Sequence, residues 1–150
     1  MNSDALNLVL ADDDEDDRDL FEDALAELPI AAKFTSLNGG ESLMEYLYKP
    51  EVNTTPDLVF LDLNMPRKNG FECLEEIKAN EKLKNIPIII FSTSYDEEVV
   101  KKLFDSGAQY YMQKPSGYNQ LKKNLAHALE LTGKKGINKI PFENFVLLDK

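Results

Sequence analysis

The sequence predicts an α/β fold, a five-stranded parallel sheet wound on both faces by helices. Three observations carry that expectation. Two short apolar runs, Leu58-Val59-Phe60-Leu61 and Ile88-Ile89-Ile90-Phe91, each follow a proline and have no polar face, as a strand covered on both sides requires. Segments with apolar residues at helical spacing separate such runs. Strand and helix patterns alternate five times along the chain, the arrangement that builds crossovers and not hairpins.

Taken in order, Asn7 to Ala11 is the first strand and runs into Asp12-Asp13-Asp14-Glu15-Asp16-Asp17. Leu20, Phe21, Ala24, Leu25 and Leu28 then mark a helix stopped by Pro29, with acids in its first turn facing the positive end of the macrodipole. Ala32 to Leu37 is a second strand of weaker pattern, and Leu43, Met44 and Leu47 give a short helix opened near Gly39-Gly40. A polar loop over Tyr48 to Thr55, with Pro50 in it, leads into the third strand. Gly70 begins a helix with Phe71, Leu74 and Ile77 inward. The fourth strand, Pro87 to Phe91, ends at Ser92-Thr93-Ser94, and Asp96-Glu97-Glu98 starts a helix with Val99, Val100, Leu103 and Phe104 inward, ended near Gly107. Gln109 to Gln113 is the fifth strand, closed by Lys114-Pro115, and Leu121, Leu125, Ala128 and Leu129 form the last helix before Gly133. Right-handed crossovers then give a flavodoxin-like sheet of strand order 2-1-3-4-5.

Composition narrows the function. The chain of 150 residues is long enough for one domain with a real core. With 27 Asp and Glu against 17 Lys and Arg it is acidic, which argues against direct nucleic-acid binding, where cations must meet phosphates. No stretch approaches the roughly 18 apolar residues of a membrane span, and no signal peptide is expected. The single cysteine, Cys73, lies among Phe71, Leu74 and Ile77 and reads as a core thiol in a reducing cytoplasm. His127, in the last helix, is expected half exposed.

The polar residues at the strand ends converge. Strand one delivers Asp12 and Asp13, strand three Asp62, strand four Ser92 and strand five Lys114. In doubly wound sheets the ligand crevice lies beyond the carboxyl strand ends. Each pair of like charges about 4 Å apart costs about 4 kcal/mol at an effective dielectric of 20, more than one lysine offsets. Hard carboxylate oxygens with room for water suit Mg²⁺. A cation, an ammonium and a hydroxyl around one carboxylate suit phosphoryl transfer to that carboxylate, with Asp62 as nucleophile. Asp14 to Asp17 are expected to be a solvated helix start. Asp12, Asp14 and Asp16 imitate the opening of a calcium loop, but Asp17 stands where its glycine is required.

Asp12-Asp13, Asp62 in Asp-Leu-Asn-Met-Pro, Ser92 and Lys114-Pro115 together resemble the receiver domain of two-component response regulators over about residues 5 to 132. The intervals of 30 from Asp62 to Ser92 and 52 from Asp62 to Lys114 fit that family. Pro56-Asp57-Leu58, Ile86-Pro87-Ile88-Ile89 and Ser92-Thr93-Ser94 most resemble the small stand-alone receivers of phytochrome-type histidine kinase systems. The resemblance implies that Asp62 accepts a phosphoryl group from a sensor histidine kinase or a histidine phosphotransfer protein. It implies Mg²⁺ (or Mn²⁺) on Asp13 and Asp62 directly, on Asn64 through its backbone carbonyl, and on Asp12 through water. Lys114 would hold a phosphoryl oxygen, with Lys114–Pro115 a cis bond. Ser92 would swing onto the phosphoryl group and Tyr111 would change rotamer with it, although Tyr110 would take that part under a one-residue shift. Asn64 and Ser94 sit where side chains tune the access of water to the acyl phosphate.

Residues 1–132 are thus expected to be the receiver and 133–150 a tail without an output domain. The tail carries Ile140, Phe142, Phe145, Val146, Leu147 and Leu148, too apolar for a linker. It either packs back on its own domain or builds a surface for the kinase or for a second copy in a homodimer. The downstream protein is not named by any motif. Two rivals stand beside this reading. A Mg²⁺-dependent aspartyl phosphohydrolase of the haloacid dehalogenase type wants a second acid two residues after the nucleophile, where Asn64 stands, and room for a cap domain. A docking module independent of phosphorylation would take no label from a phosphodonor.

Overall fold

The structure, a computed structural model, describes residues 5–49 and 55–149. The strands are β1 (Leu6–Ala11), β2 (Ala32–Leu37), β3 (Leu58–Leu61), β4 (Ile88–Ser92), β5 (Tyr110–Gln113) and β6 (Val146–Leu147). The helices are α1 (Glu15–Ala26), α2 (Gly40–Leu47), α3 (Gly70–Ala79), α4 (Glu97–Asp105) and α5 (Tyr118–Leu131), with a 3₁₀ turn over Phe142–Asn144. All pairings are parallel and the order is β2-β1-β3-β4-β5-β6. The expected order 2-1-3-4-5 therefore stands, with a sixth strand added at the β5 edge. Of the polar loop expected over residues 48–55, positions 50–54, Pro50 included, lie outside the described residues.

Alternation along the strands explains the layers. Leu8, Leu10, Leu58, Phe60, Ile89, Phe91, Tyr110 and Met112 pack against Phe21, Ala24 and Leu25 of α1 and Leu121, Leu125 and Leu129 of α5. Val9, Ala11, Val59, Leu61, Ile88, Ile90 and Tyr111 face α2, α3 and α4. With both faces covered, β3 is apolar throughout and β4 is apolar from Ile88 to Phe91. Phe21 anchors the first layer, its ring 5.0 Å edge-on from Phe60 and 5.6 Å from Phe91. Leu20, one of the apolar residues that mark α1 in the sequence, is 45% exposed, because the sheet-facing stripe of the helix runs through Phe21, Ala24 and Leu25. Phe71, Val99 and Phe104 are half-buried at the margins of their helices. His127 is half-buried on α5, as expected.

The sixth strand is formed by the tail, which returns to the sheet on the α4 side of β5. Gln109 holds it at both amide atoms, donating to the Asn138 carbonyl at 2.6 Å and accepting from the Asn138 N–H at 3.0 Å. Tyr111 N–H donates to the Phe145 carbonyl at 3.0 Å, and Tyr111 and Met112 register with Val146 and Leu147. Phe145 is completely buried, edge-on to Phe104 at 5.2 Å. The expectation of five strands missed this because a two-residue strand has no periodicity of its own. Its place is set by the Phe145 anchor and the free edge of β5.

Candidate functional site

The site grows out of the strand ends. The even-numbered residues of β1, β3 and β5 face the α1 and α5 layer, and one step beyond each strand that same parity delivers Asp12, Asp62 and Lys114 to one place. Carboxylate oxygens of Asp12, Asp13 and Asp62 lie within 4.8 Å of one another. Asp12 is fully buried, Asp62 is 5% exposed, and Asp13 opens to solvent. Lys114 Nζ reaches in from β5, 2.8 Å from Asp12 Oδ2, 2.9 Å from Asp17 Oδ2 and 3.8 Å from Asp62 Oδ2. The Phe91 ring lies 5.4 Å from the ammonium, a low-dielectric wall on which the cation also rests favourably.

Electrostatics follow from that crowding. Burial, and then the charge of Asp12, push the Asp62 carboxyl up to about 7 from an ordinary value of 3.8, against the pull of Lys114. Burial alone would lower the Lys114 ammonium, but bonding to Asp12 and Asp17 raises it overall, so it stays charged. Asp12 Oδ2, although ion-paired with that ammonium, is buried without a geometrically sound hydrogen bond. The three convergent carboxylates are a hard, all-oxygen donor set beside one ammonium. It fits a small divalent cation.

The loop after β3 is held tightly. The Asn64 N–H points to Asp62 Oδ1 at 3.4 Å, and the Asn64 side chain is exposed. Gly70 opens α3 with its N–H on the Leu63 carbonyl at 2.9 Å, and a Cβ at this position would collide with the Asp62 carbonyl. Only glycine lets the helix start approach the acidic residue so closely. Asn69 caps α3 in a reciprocal box with Glu72.

Ser92 and Tyr111 lie on the other parity, toward α4. Ser92 is fully buried, its hydroxyl 3.2 Å from that of Ser94. The Tyr111 hydroxyl donates to the Ser94 carbonyl, and its ring meets Tyr95 edge-on at 5.9 Å. Tyr110 packs on the opposite layer, among the residues facing α1 and α5. The carboxylates and Lys114 thus form one cluster, and Ser92, Ser94 and Tyr111 a second on the α4 side.

One expectation is corrected. Among the described residues no peptide bond is cis, so Lys114–Pro115 is trans. Trans is favoured for such a bond by about 0.5–1 kcal/mol. With it Lys114 N–H donates to the Ser92 carbonyl at 2.8 Å while Nζ reaches Asp12 and Asp17, so the site makes its contacts without the cis form.

Asp17 was expected to be solvated and is instead a ligand of Lys114. The signal was spacing, since Asp17 precedes Phe21 by one helical step and so extends the core stripe of α1 over the site. Arg18 was also missed; its Nη1 donates to the Asp12 carbonyl at 2.8 Å and braces the turn after β1. Cys73 is buried against the Gly40 carbonyl at 3.6 Å, and burial pushes its thiol up to about 11, as expected of a core residue.

The response regulator receiver domain family matches residues 8–126. The response regulator Rcp1 of Synechocystis is 32% identical over 119 residues, spanning 77% of this chain and 81% of that one. The two-component response regulator ARR17 of Arabidopsis thaliana is 31% identical over 132 residues, 83% of this chain and 85% of that one. The phosphorylated cyanobacterial phytochrome response regulator RcpA superposes with a TM-score of 0.78 at 29% identity, covering 91% of this chain and 99% of that one. The Mn²⁺-bound form of Rcp1 superposes with a TM-score of 0.74 at 28% identity, with the same coverage. No described helix is long and apolar enough to cross a membrane.

Proposed function

This chain belongs to the response regulator receiver family, and from that premise we propose that Asp62 is its phosphoryl acceptor. The observation that carries the proposal is the gathering of three carboxylates within 4.8 Å around Asp62, with Lys114 Nζ 3.8 Å away. Family membership makes this a signalling protein served by histidine kinases and by a divalent metal at the acidic pocket. The finer assignments rest on the residues. An Asp62 carboxylate oxygen attacks the phosphorus of a phosphohistidine; the new P–O bond forms as the P–N bond breaks, and the imidazole leaves with the electron pair and takes a proton.

Asp13, Asp62 and the Asn64 carbonyl would hold Mg²⁺ or Mn²⁺, with Asp12 reached through water; when bound, the ion neutralises charge on the transferring oxygens. Lys114 donates to a phosphoryl oxygen from the side opposite Ser92. Ser92 leaves Ser94 to donate to another, and Tyr111, tied to the Ser94 carbonyl, senses that movement. A shift from 1:99 to 99:1 between two states needs about 5.5 kcal/mol of differential stabilisation, within reach of two charge-assisted hydrogen bonds and their packing consequences.

The reading takes residues 1–132 as the receiver and 133–150 as the segment that completes its β5 edge. It also takes the chain to act in the cytoplasm, to accept phosphoryl groups from a kinase or a histidine phosphotransfer protein, and to hydrolyse its own acyl phosphate. A homodimer and a downstream protein partner belong to the same reading. Neither rival has comparable support: Asn64 occupies the position of the phosphohydrolase's second acid, and a pure docking module has no use for buried like charges. Incubation with labelled acetyl phosphate tests the proposal. Label that needs Mg²⁺ and disappears in Asp62→Asn is expected; equal labelling of Asp62→Asn would overturn it.

A further inference from the structure

We propose that Asp17 is a positioning residue that parks Lys114 away from Asp62 and thereby weakens the hold of the site on a phosphoryl group. The inference rests on Asp62 being the acceptor. The Lys114 ammonium is held unequally: it donates a hydrogen bond to Asp17 at 2.9 Å and ion-pairs with Asp12 at 2.8 Å, whereas Asp62 lies beyond hydrogen-bond reach at 3.8 Å. Asp12 follows directly on β1, its N–H on the Leu37 carbonyl at 3.0 Å, and the Asp62 N–H bonds the neighbouring Ala11 carbonyl at 2.9 Å. Asp17 belongs to α1, its backbone fixed by Asp14 Oδ1 accepting the Asp17 N–H at 3.1 Å. The bond from Lys114 to Asp17 therefore ties the reactive end of β5 to a helix on the outer layer.

Phosphorylation changes the competition. A phosphoryl group at Asp62 carries about −1.5 to −2 charges in place of one, with three strong acceptor oxygens. The ammonium is drawn towards it, and the Asp17 contact must lengthen or break. With its side chain one-third exposed, Asp17 forms an ion pair of modest strength, enough to tune the site without closing it. The other acids of the run differ: Asp16 points to solvent, and the described ion pairs of Lys114 are with Asp12, Asp17 and Asp62. Asp16→Asn is thus a control that removes the same charge from the same helical turn.

Calorimetric titration of the full chain with beryllofluoride, at saturating Mg²⁺, tests the inference. Asp17→Asn is expected to bind this phosphoryl mimic about two- to fivefold more tightly than wild type, as the loss of one partly exposed competing ion pair implies. Asp17→Glu, which keeps the charge, is expected to restore wild-type affinity, and Asp16→Asn to leave it unchanged. Unchanged or weaker binding by Asp17→Asn, an equal gain in Asp16→Asn, or a gain in Asp17→Glu as large as in Asp17→Asn would overturn the inference. Wild-type protein that binds no beryllofluoride would instead sink the assignment of Asp62.

Discussion

At the carboxyl ends of β1 and β3, Asp12 and Asp62 are buried beside each other with a single ammonium between them, while along the outer edge of β5 Phe145 and Leu147 are buried among rings and aliphatic side chains. The first arrangement costs stability, since desolvation and like charge both oppose ionised carboxylates there. The second supplies it, through the Phe104–Phe145 pair at 5.2 Å and backbone pairing to Tyr111 and Met112. Function explains the first and packing explains the second. A sheet that carries a reactive crevice at one end is steadied by an apolar strap on its edge.

That contrast breaks first at the strap. Phe145→Ala should lower the free energy of unfolding by about 3–5 kcal/mol in urea, the usual cost of emptying a fully buried aromatic site. Phe142→Ala, at a ring 42% exposed, should cost distinctly less in the same measurement. Equal losses would mean that the two aromatics of the strap share the load and that Phe145 is not its anchor.

At the crevice the sign should reverse. Asp62→Asn removes a carboxyl whose charged form burial and Asp12 oppose, and should stabilise the metal-free protein by roughly 0.5–2 kcal/mol, the range common to single stabilising substitutions. Added Mg²⁺ should raise the melting temperature of wild type, since a ligand that binds only the folded state stabilises it, and should do so much less in Asp62→Asn. A destabilised Asp62→Asn would show that its carboxylate is structural.

Much of this contrast was legible before the structure. The two central strands β3 and β4 were readable because burial on both faces strips Leu58 to Leu61 and Ile88 to Phe91 of polar residues. Asp12, Asp13, Asp62 and Lys114 were readable because charge at the end of such strands has no packing reason to be there. Asp17 was not, since in an acidic run each residue looks like its neighbours and only the helical step to Phe21 separates it. The trans Lys114–Pro115 bond was missed because an X–Pro dipeptide does not declare its isomer. The sixth strand was missed because it is specified by tertiary contacts to β5 and Phe104, which local pattern does not carry.

A smaller effect separates core from crevice by pH. The Cys73 thiol, pushed up to about 11 by burial, keeps its proton in the folded protein above the pH at which the unfolded chain, near 9, gives it up. The folded state then binds more protons, so stability should fall as pH rises from about 9 towards 11. Cys73→Ala should lose that limb of the urea-stability profile; an unchanged limb would assign it to other groups.

The central claim is that Asp62 itself becomes an acyl phosphate. Borohydride reduction after incubation with acetyl phosphate and Mg²⁺ converts an aspartyl phosphate to homoserine, which peptide mass spectrometry locates. Homoserine at position 62 is the expected result. Its absence there, or its appearance at Asp12 or Asp13 in wild-type protein, would contradict the account.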